Sequence, residues 1–186
     1  MKGTNEHIIK ILKKTGALKF GDFTLASGEK SNYYIDLRVI PNFPDEFKKI
    51  IGYVIAYIKT KCLKFDGVVA IPLAGMPFGI MIAHQFHKPF YIMRKKPKDH
   101  GLRHLIEGEI KPGQKILLVD DLISSGFSKS YAINALREEG AHLEDLFVII
   151  DRTYSNLSDF EKEYKIKVHY LITVDDILFQ ISHDVR

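Results

Sequence analysis

Residues 116–128 read Ile-Leu-Leu-Val-Asp-Asp-Leu-Ile-Ser-Ser-Gly-Phe-Ser, and the fold turns on how this stretch is read. Residues 116–119 are wholly apolar, the pattern of a strand buried on both faces of a parallel sheet. Two carboxylates, Asp120 and Asp121, stand where that strand is expected to end. Ser124, Ser125, Gly126, Phe127 and Ser128 follow and lead into a helical stretch over residues 129–139. Open α/β sheets bind ligands outside the carboxyl ends of their strands. A small-residue turn that opens a helix offers free backbone N–H groups and the positive end of a dipole to an anion. An anion seat with two acids beside it suits a molecule that is phosphate at one end and polyhydroxyl or metal-bound in the middle, such as a ribose phosphate. A plain serine-capped helix would share the turn but has no use for the paired acids.

Working outward, the 186 residues are 46% hydrophobic and 27% charged, the balance of a single globular domain spanning 1–186. The net charge of +4 suits a polyanionic substrate as well as nucleic acid. Cys62 is the one cysteine, which excludes a disulfide framework and points to a reducing cytoplasm. No signal-like apolar core opens the sequence, and no apolar run approaches the roughly 18 residues of a membrane span.

Apolar spacing predicts helices over 5–14, 44–61 and 78–86, the second with Phe47, Ile50, Ile51, Val54, Ile55 and Ile58 on one face. Alternation predicts a hairpin of strands 18–25 and 32–37 around Ser27-Gly28-Glu29-Lys30. Buried strands are predicted over 67–71, 89–93 and 143–150, then a helix over 155–164, a strand over 167–172 and a helix over 173–182. Strands alternating with helices imply a central, mainly parallel sheet flanked by helices. The turn Pro72-Leu73-Ala74-Gly75-Met76-Pro77 follows one strand, and Gly75 would let the backbone approach an anion closely. Residues 94–107 carry Arg94, Lys95, Lys96, Lys98 and Arg103 with Pro97 and Gly101, a basic loop between two core strands. His84 and His87 are near neighbours on a helix, but no third ligand accompanies them, so they are read as exposed or partly buried histidines.

Asp120-Asp121 with Ser124–Ser128 resembles the motif of type I phosphoribosyltransferases that binds 5-phosphoribosyl 1-diphosphate (PRPP). The resemblance implies that Asp120 and Asp121 hold the ribose hydroxyls, that Ser124, Ser125, Gly126, Phe127 and Ser128 wrap the 5′-phosphate, and that Ala74 and Gly75 meet pyrophosphate. Two further stretches are similar to orotate phosphoribosyltransferases in particular. One is the segment Gly16 to Arg38, a hairpin that would lie over the base as part of a small hood, with Tyr33 and Tyr34 lining the pocket. The other is Arg94-Lys95-x-x-Lys98-x-His100-Gly101, which matches the family's catalytic loop. By that match Lys98 and His100 close over the pyrophosphate in a neighbouring subunit, while Arg94 and Lys95 approach the phosphates from the loop base.

Asp151-Arg152 completes the pattern: the resemblance implies that Arg152 reads the carboxylate of orotate and that Ser124 also belongs to the orotate site. A planar guanidinium grips a carboxylate through two parallel bonds. The sequence departs from the family in four places: Ala26 and Ala74 stand where lysines are usual, Phe127 where a small hydroxyl residue is usual, and Thr153-Tyr154-Ser155 where Gln-Glu-Gly often follows Asp-Arg.

The resemblance thus implies a type I phosphoribosyltransferase fold, with residues 1–40 forming the hood and 41–186 the α/β core. It implies catalysis by Lys98, His100, Asp120 and Asp121 on orotate and PRPP, with Mg²⁺ held mainly by PRPP. A cytoplasmic homodimer sharing loop 94–107 is expected, with no nucleic acid or membrane partner. A phosphoribosyltransferase for another base, or a catalytically impaired sensor of PRPP or nucleotides, is the alternative.

Overall fold

The computed structural model describes residues 2–24, 28, 30–94, 105–154 and 157–184. Helix α1 (Lys2–Lys14) precedes the antiparallel hairpin β1 (Leu18–Thr24) and β2 (Lys30–Ile35). A 3-10 turn, Leu37–Asn42, then leads into α2 (Pro44–Thr60), β3 (Gly67–Ala70), α3 (Met76–Gln85), β4 (Phe90–Met93) and the short β5 (Ile106–Glu107). The second half runs β6 (Lys115–Ile123), α4 (Phe127–Glu138), β7 (His142–Asp151), α5 (Leu157–Tyr164), β8 (Lys167–Thr173) and α6 (Val174–Asp184).

The main sheet has the order β5-β4-β3-β6-β7-β8. All of its pairings are parallel except β4 with β5. Alternate residues of the central strands feed two separate cores, because successive side chains of a strand point to opposite faces. Val68, Leu117, Val119 and Phe147 pack with α1, α2, α3 and α6, while Val69, Leu118, Leu146 and Val148 pack with α4 and α5. Both faces are therefore covered, which is why β3 and residues 116–119 carry unbroken apolar sequence. Helix α1 belongs to the first core, with Ile8, Ile9 and Leu12 essentially inaccessible. The hairpin β1–β2 is a two-stranded sheet of its own.

The chain enters at β3, moves outward to β4, and returns to β6 on the other side of β3. The strand order thus reverses between β3 and β6, the place where such sheets open a crevice at their carboxyl ends.

The central strand outruns its sequence-based prediction. It does not end at the acid pair but continues to Ile123, so Asp120 and Asp121 lie inside it. The cause is the neighbouring ladder: Asp120 stands opposite Val148 and Ile123 opposite Asp151, and those pairings hold the acids extended. Helix α4 correspondingly starts at Phe127, directly after the left-handed Gly126. No helix among the described residues is long and apolar enough to cross a membrane.

Candidate active site

The register of β6 on β7 assembles the site. With Ile123 opposite Asp151, the first residue beyond β7 comes beside the turn that follows β6. The Arg152 amide donates to the Ile123 carbonyl at 2.8 Å, and Asp151 Oδ1 accepts from the Thr153 amide at 2.8 Å. Arg152 therefore leaves the sheet next to Ser124, from a backbone fixed on both sides.

The two acids have opposite surroundings, as adjacent strand residues must. Asp120 is 4% exposed; its Oδ1 accepts the Asp121 amide at 2.9 Å, and its Oδ2 meets Lys129 Nζ at 2.6 Å. Lys129 comes from the first turn of α4, where it occupies the inward stripe with Ala132, Ile133 and Leu136. Asp121 is only partly exposed, and its Oδ1 accepts from the Leu122 amide at 2.7 Å. Burial, then the neighbouring Asp120 charge, push the Asp121 carboxyl up to about 7, against a smaller opposing pull from Lys129. The pair thus presents a neutralised acid beneath and a proton-sensitive one above.

Two backbone loops flank this acid pair. In the loop after β3, a Cβ on Gly75 would stand 2.7 Å from the Val119 carbonyl oxygen and 2.8 Å from Asp120 Cα. Only glycine allows that loop to lie against the end of β6, so Ala74 and Gly75 are brought to the acids. In the loop after β6, Gly126 has φ +77°, and a Cβ there would meet the Phe160 ring at 2.6 Å. The turn consequently places Ser124 and Ser125 before the start of a helix, and Ser125, Phe127 and Ser128 are exposed. Phe127 is 81% exposed, so it fills no core position. This turn offers N–H donors and a helix dipole to an anion.

The hairpin supplies the remaining groups. Tyr33 and Tyr34 are adjacent in β2 and face opposite ways. Tyr33 is buried, and its hydroxyl pairs with that of Tyr154, just beyond Arg152. Tyr34 stacks on Phe23, with ring centroids 5.5 Å apart, and its hydroxyl accepts from Arg38 at 3.4 Å. Arg38 is itself held by Asp36 through two bonds of 2.7 and 2.8 Å. Asp36 drives the guanidinium further toward its charged form, with Tyr34 and Asp121 adding in the same sense. In return, hydrogen bonding from Arg38 holds the Asp36 carboxyl below its ordinary range.

Arg94 closes β4: its amide donates to the Leu105 carbonyl at 2.7 Å, and its guanidinium pairs with Glu107. The expectations for Lys95, Lys98 and His100, and for the departure at Ala26, fall outside the described residues. A cavity of about 430 Å³ between α1 and α2, lined by His7, Lys14, Glu46 and Tyr53 among others, shares no lining residue with this cluster.

Three residues of the cluster carried no functional expectation from sequence: Lys129, Arg38 and Tyr154. Lys129 had a legible signal, a lysine on the apolar stripe of a helix that follows an acidic strand end. Arg38 had one as well, in the Asp-x-Arg spacing to Asp36. Tyr154 had none, since its partner is distant in sequence.

Comparison with known proteins gives the family. Residues 40–183 match the phosphoribosyl transferase domain model. The orotate phosphoribosyltransferase of Methanocaldococcus jannaschii is 38% identical over 171 residues, covering 91% of this chain and 94% of that one. Among solved structures, the UMP synthase of Leishmania donovani superposes with a TM-score of 0.81 at 27% identity, over 94% of this chain but 37% of that longer one. The orotate phosphoribosyltransferase of Aeropyrum pernix superposes with a TM-score of 0.79 at 24% identity, over 94% and 99% of the two chains, a likeness of fold. The chain belongs to the phosphoribosyltransferase family, and within it to the orotate phosphoribosyltransferases.

Proposed function

We propose that the protein transfers the 5-phosphoribosyl group of PRPP to orotate, giving orotidine 5′-phosphate and pyrophosphate on the route to UMP. The observation that carries this reading is the β6–β7 register, which sets Arg152 beside a small-residue turn and an acid pair. In the reaction a bond forms between a ring nitrogen of orotate and ribose C1 as the bond from C1 to the pyrophosphate oxygen breaks. No protein nucleophile is required. The protein aligns the base with C1 and stabilises charge on the leaving group.

Each group has a role in that scheme. Backbone N–H groups of residues 124–128 and the hydroxyls of Ser124, Ser125 and Ser128 hold the 5′-phosphate. Asp121 faces the ribose hydroxyls, with Asp120 buried beneath it against Lys129; Ala74 and Gly75 meet the pyrophosphate. Arg152 grips the orotate carboxylate, and Tyr33 and Tyr34 frame the base from the hairpin. Arg94 and Lys95 start the loop from which Lys98 and His100 close over the departing pyrophosphate and exclude water.

Among the described residues no cluster of three or more histidine, cysteine or acidic side chains gathers to hold a metal. Asp120 is already paired with Lys129, which leaves Asp121 to face a cation. That donor set fits Mg²⁺, which keeps several waters and typically takes one or two carboxylates plus substrate phosphates. Mg²⁺ would neutralise and orient the pyrophosphate. The active unit in this reading is a homodimer that shares loop 94–107 across its interface. A reducing cytoplasm suits the single Cys62.

The test is orotate consumption, followed by absorbance, with PRPP and Mg²⁺, with uracil and hypoxanthine in parallel. Turnover of orotate alone is expected. Equal turnover of another base, or PRPP binding without turnover of any base, would overturn the assignment.

A further inference from the structure

The hairpin β1–β2 pairs with no strand of the main sheet among the described residues. A lone two-stranded hairpin is marginal in water, so its position depends on side-chain ties. One such tie reaches the Arg152 segment. Tyr33 is 6% exposed, and its hydroxyl is bonded to the Tyr154 hydroxyl, 121 positions away in sequence. Tyr154 makes this bond from φ +49°, a left-handed backbone that a bulky aromatic residue rarely adopts. Its side chain is otherwise 55% exposed, so core packing does not explain its place. Strained residues persist where the surroundings over-determine them.

Upstream, the Arg152 amide is fixed to β6 through the Ile123 carbonyl. Downstream, Tyr154 is fixed to the hood. We infer that Tyr154 is a positioning residue for orotate: its bond to Tyr33 latches the hairpin to the Arg152 segment and sets the width of the base slot between them. This rests on the reading of Arg152 and Tyr33 as orotate-binding groups. Burial raises the Tyr33 phenol above its ordinary range, so the hydroxyl keeps its proton and the latch holds throughout the working pH range. The phosphate turns at residues 74–75 and 124–128 are anchored on β3 and β6, independently of the hairpin. Loss of the latch therefore acts on one substrate.

The experiment compares wild type, Tyr154→Phe, Tyr33→Phe and the double variant, in steady-state kinetics and in amide hydrogen exchange. Phenylalanine keeps each ring and removes only the hydroxyl. Each single variant should raise KM for orotate about five- to tenfold, the worth of one hydrogen bond, with KM for PRPP within about twofold of wild type. Amides of β1 and β2 should exchange faster in both, and the double variant should be no worse than either single one, since both remove the same bond. The latch is overturned if Tyr154→Phe leaves hairpin exchange unchanged, if KM rises equally for both substrates, or if the two losses multiply. Wild type failing to consume orotate would instead overturn the functional reading. Hairpin exchange in the variants then still decides whether the latch exists.

Discussion

Lys129→Met strands a buried carboxylate, and the structure says by how much. Lys129 Nζ lies 2.6 Å from Asp120 Oδ2, and the two side chains are 7% and 5% exposed. Methionine fills similar volume among Ala132, Ile133 and Leu136 but removes the cation from Asp120 Oδ2, while Oδ1 keeps the Asp121 amide. Breaking one partner of a buried pair costs about 3–5 kcal/mol, because the remaining charge cannot be solvated. For a chain of 186 residues, each kcal/mol moves Tm by about 2–4 °C. The expected fall in Tm is therefore on the order of 6–20 °C. Urea unfolding at pH 7.5 gives the free energy directly, and Lys129→Met combined with Asp120→Asn should recover most of the loss by removing the stranded charge. A loss under about 1 kcal/mol at pH 7.5, or no recovery in the double variant, would refute the claim that Lys129 neutralises Asp120.

Asp121→Asn should stabilise the protein in alkali and not in acid. The folded carboxyl titrates near 7, above its ordinary value of 3.8, so the wild type loses stability progressively as pH rises between those values. The variant, neutral throughout, should be more stable by on the order of 1–2 kcal/mol at pH 8, and the gap should vanish near pH 4 in thermal melts. Gly75→Ala should cost about 1–3 kcal/mol, because its Cβ would crowd the Val119 carbonyl at 2.7 Å; calorimetry checks the cost, and KM for PRPP should rise. Arg152→Ala should raise KM for orotate about 10- to 100-fold with KM for PRPP little changed, as read by initial rates; equal losses would make Arg152 a scaffold residue. Lys98→Ala should lower kcat about 100- to 1,000-fold at unchanged Tm, measured in the same orotate assay.

Local pattern carried much of this architecture. Unbroken apolar runs at residues 67–71, 116–119 and 146–150 can be satisfied only by strands covered on both faces, and the helical stripes between them supply the cover. The Asp-Asp pair, the small-residue turn with Gly126, and Asp151-Arg152 were legible for the same reason: each is a short-range arrangement of backbone conformation and charge. The extent of the central strand was not legible. Two carboxylates in a row read as a strand end by composition, yet pairing with Val148 and Ile150 holds them extended to Ile123, because ladder hydrogen bonds outweigh local preference.

The chain's own order of residues determined which groups were on offer: a small-residue turn before a helix, two adjacent acids, an arginine at a strand end and a basic stretch. Tertiary structure alone decided how those groups divide the work. Whether Asp120 or Asp121 is the paired acid depends on which face of β6 meets α4, and the answer places Lys129 beneath Asp120. Whether Tyr33 or Tyr34 turns toward Arg152 depends on how the hairpin sits, and the Tyr33–Tyr154 contact joins residues from opposite ends of the chain. Sequence spacing encodes neighbours within a helix or strand, whereas burial, partner and protonation state belong to surfaces that meet only when the chain folds.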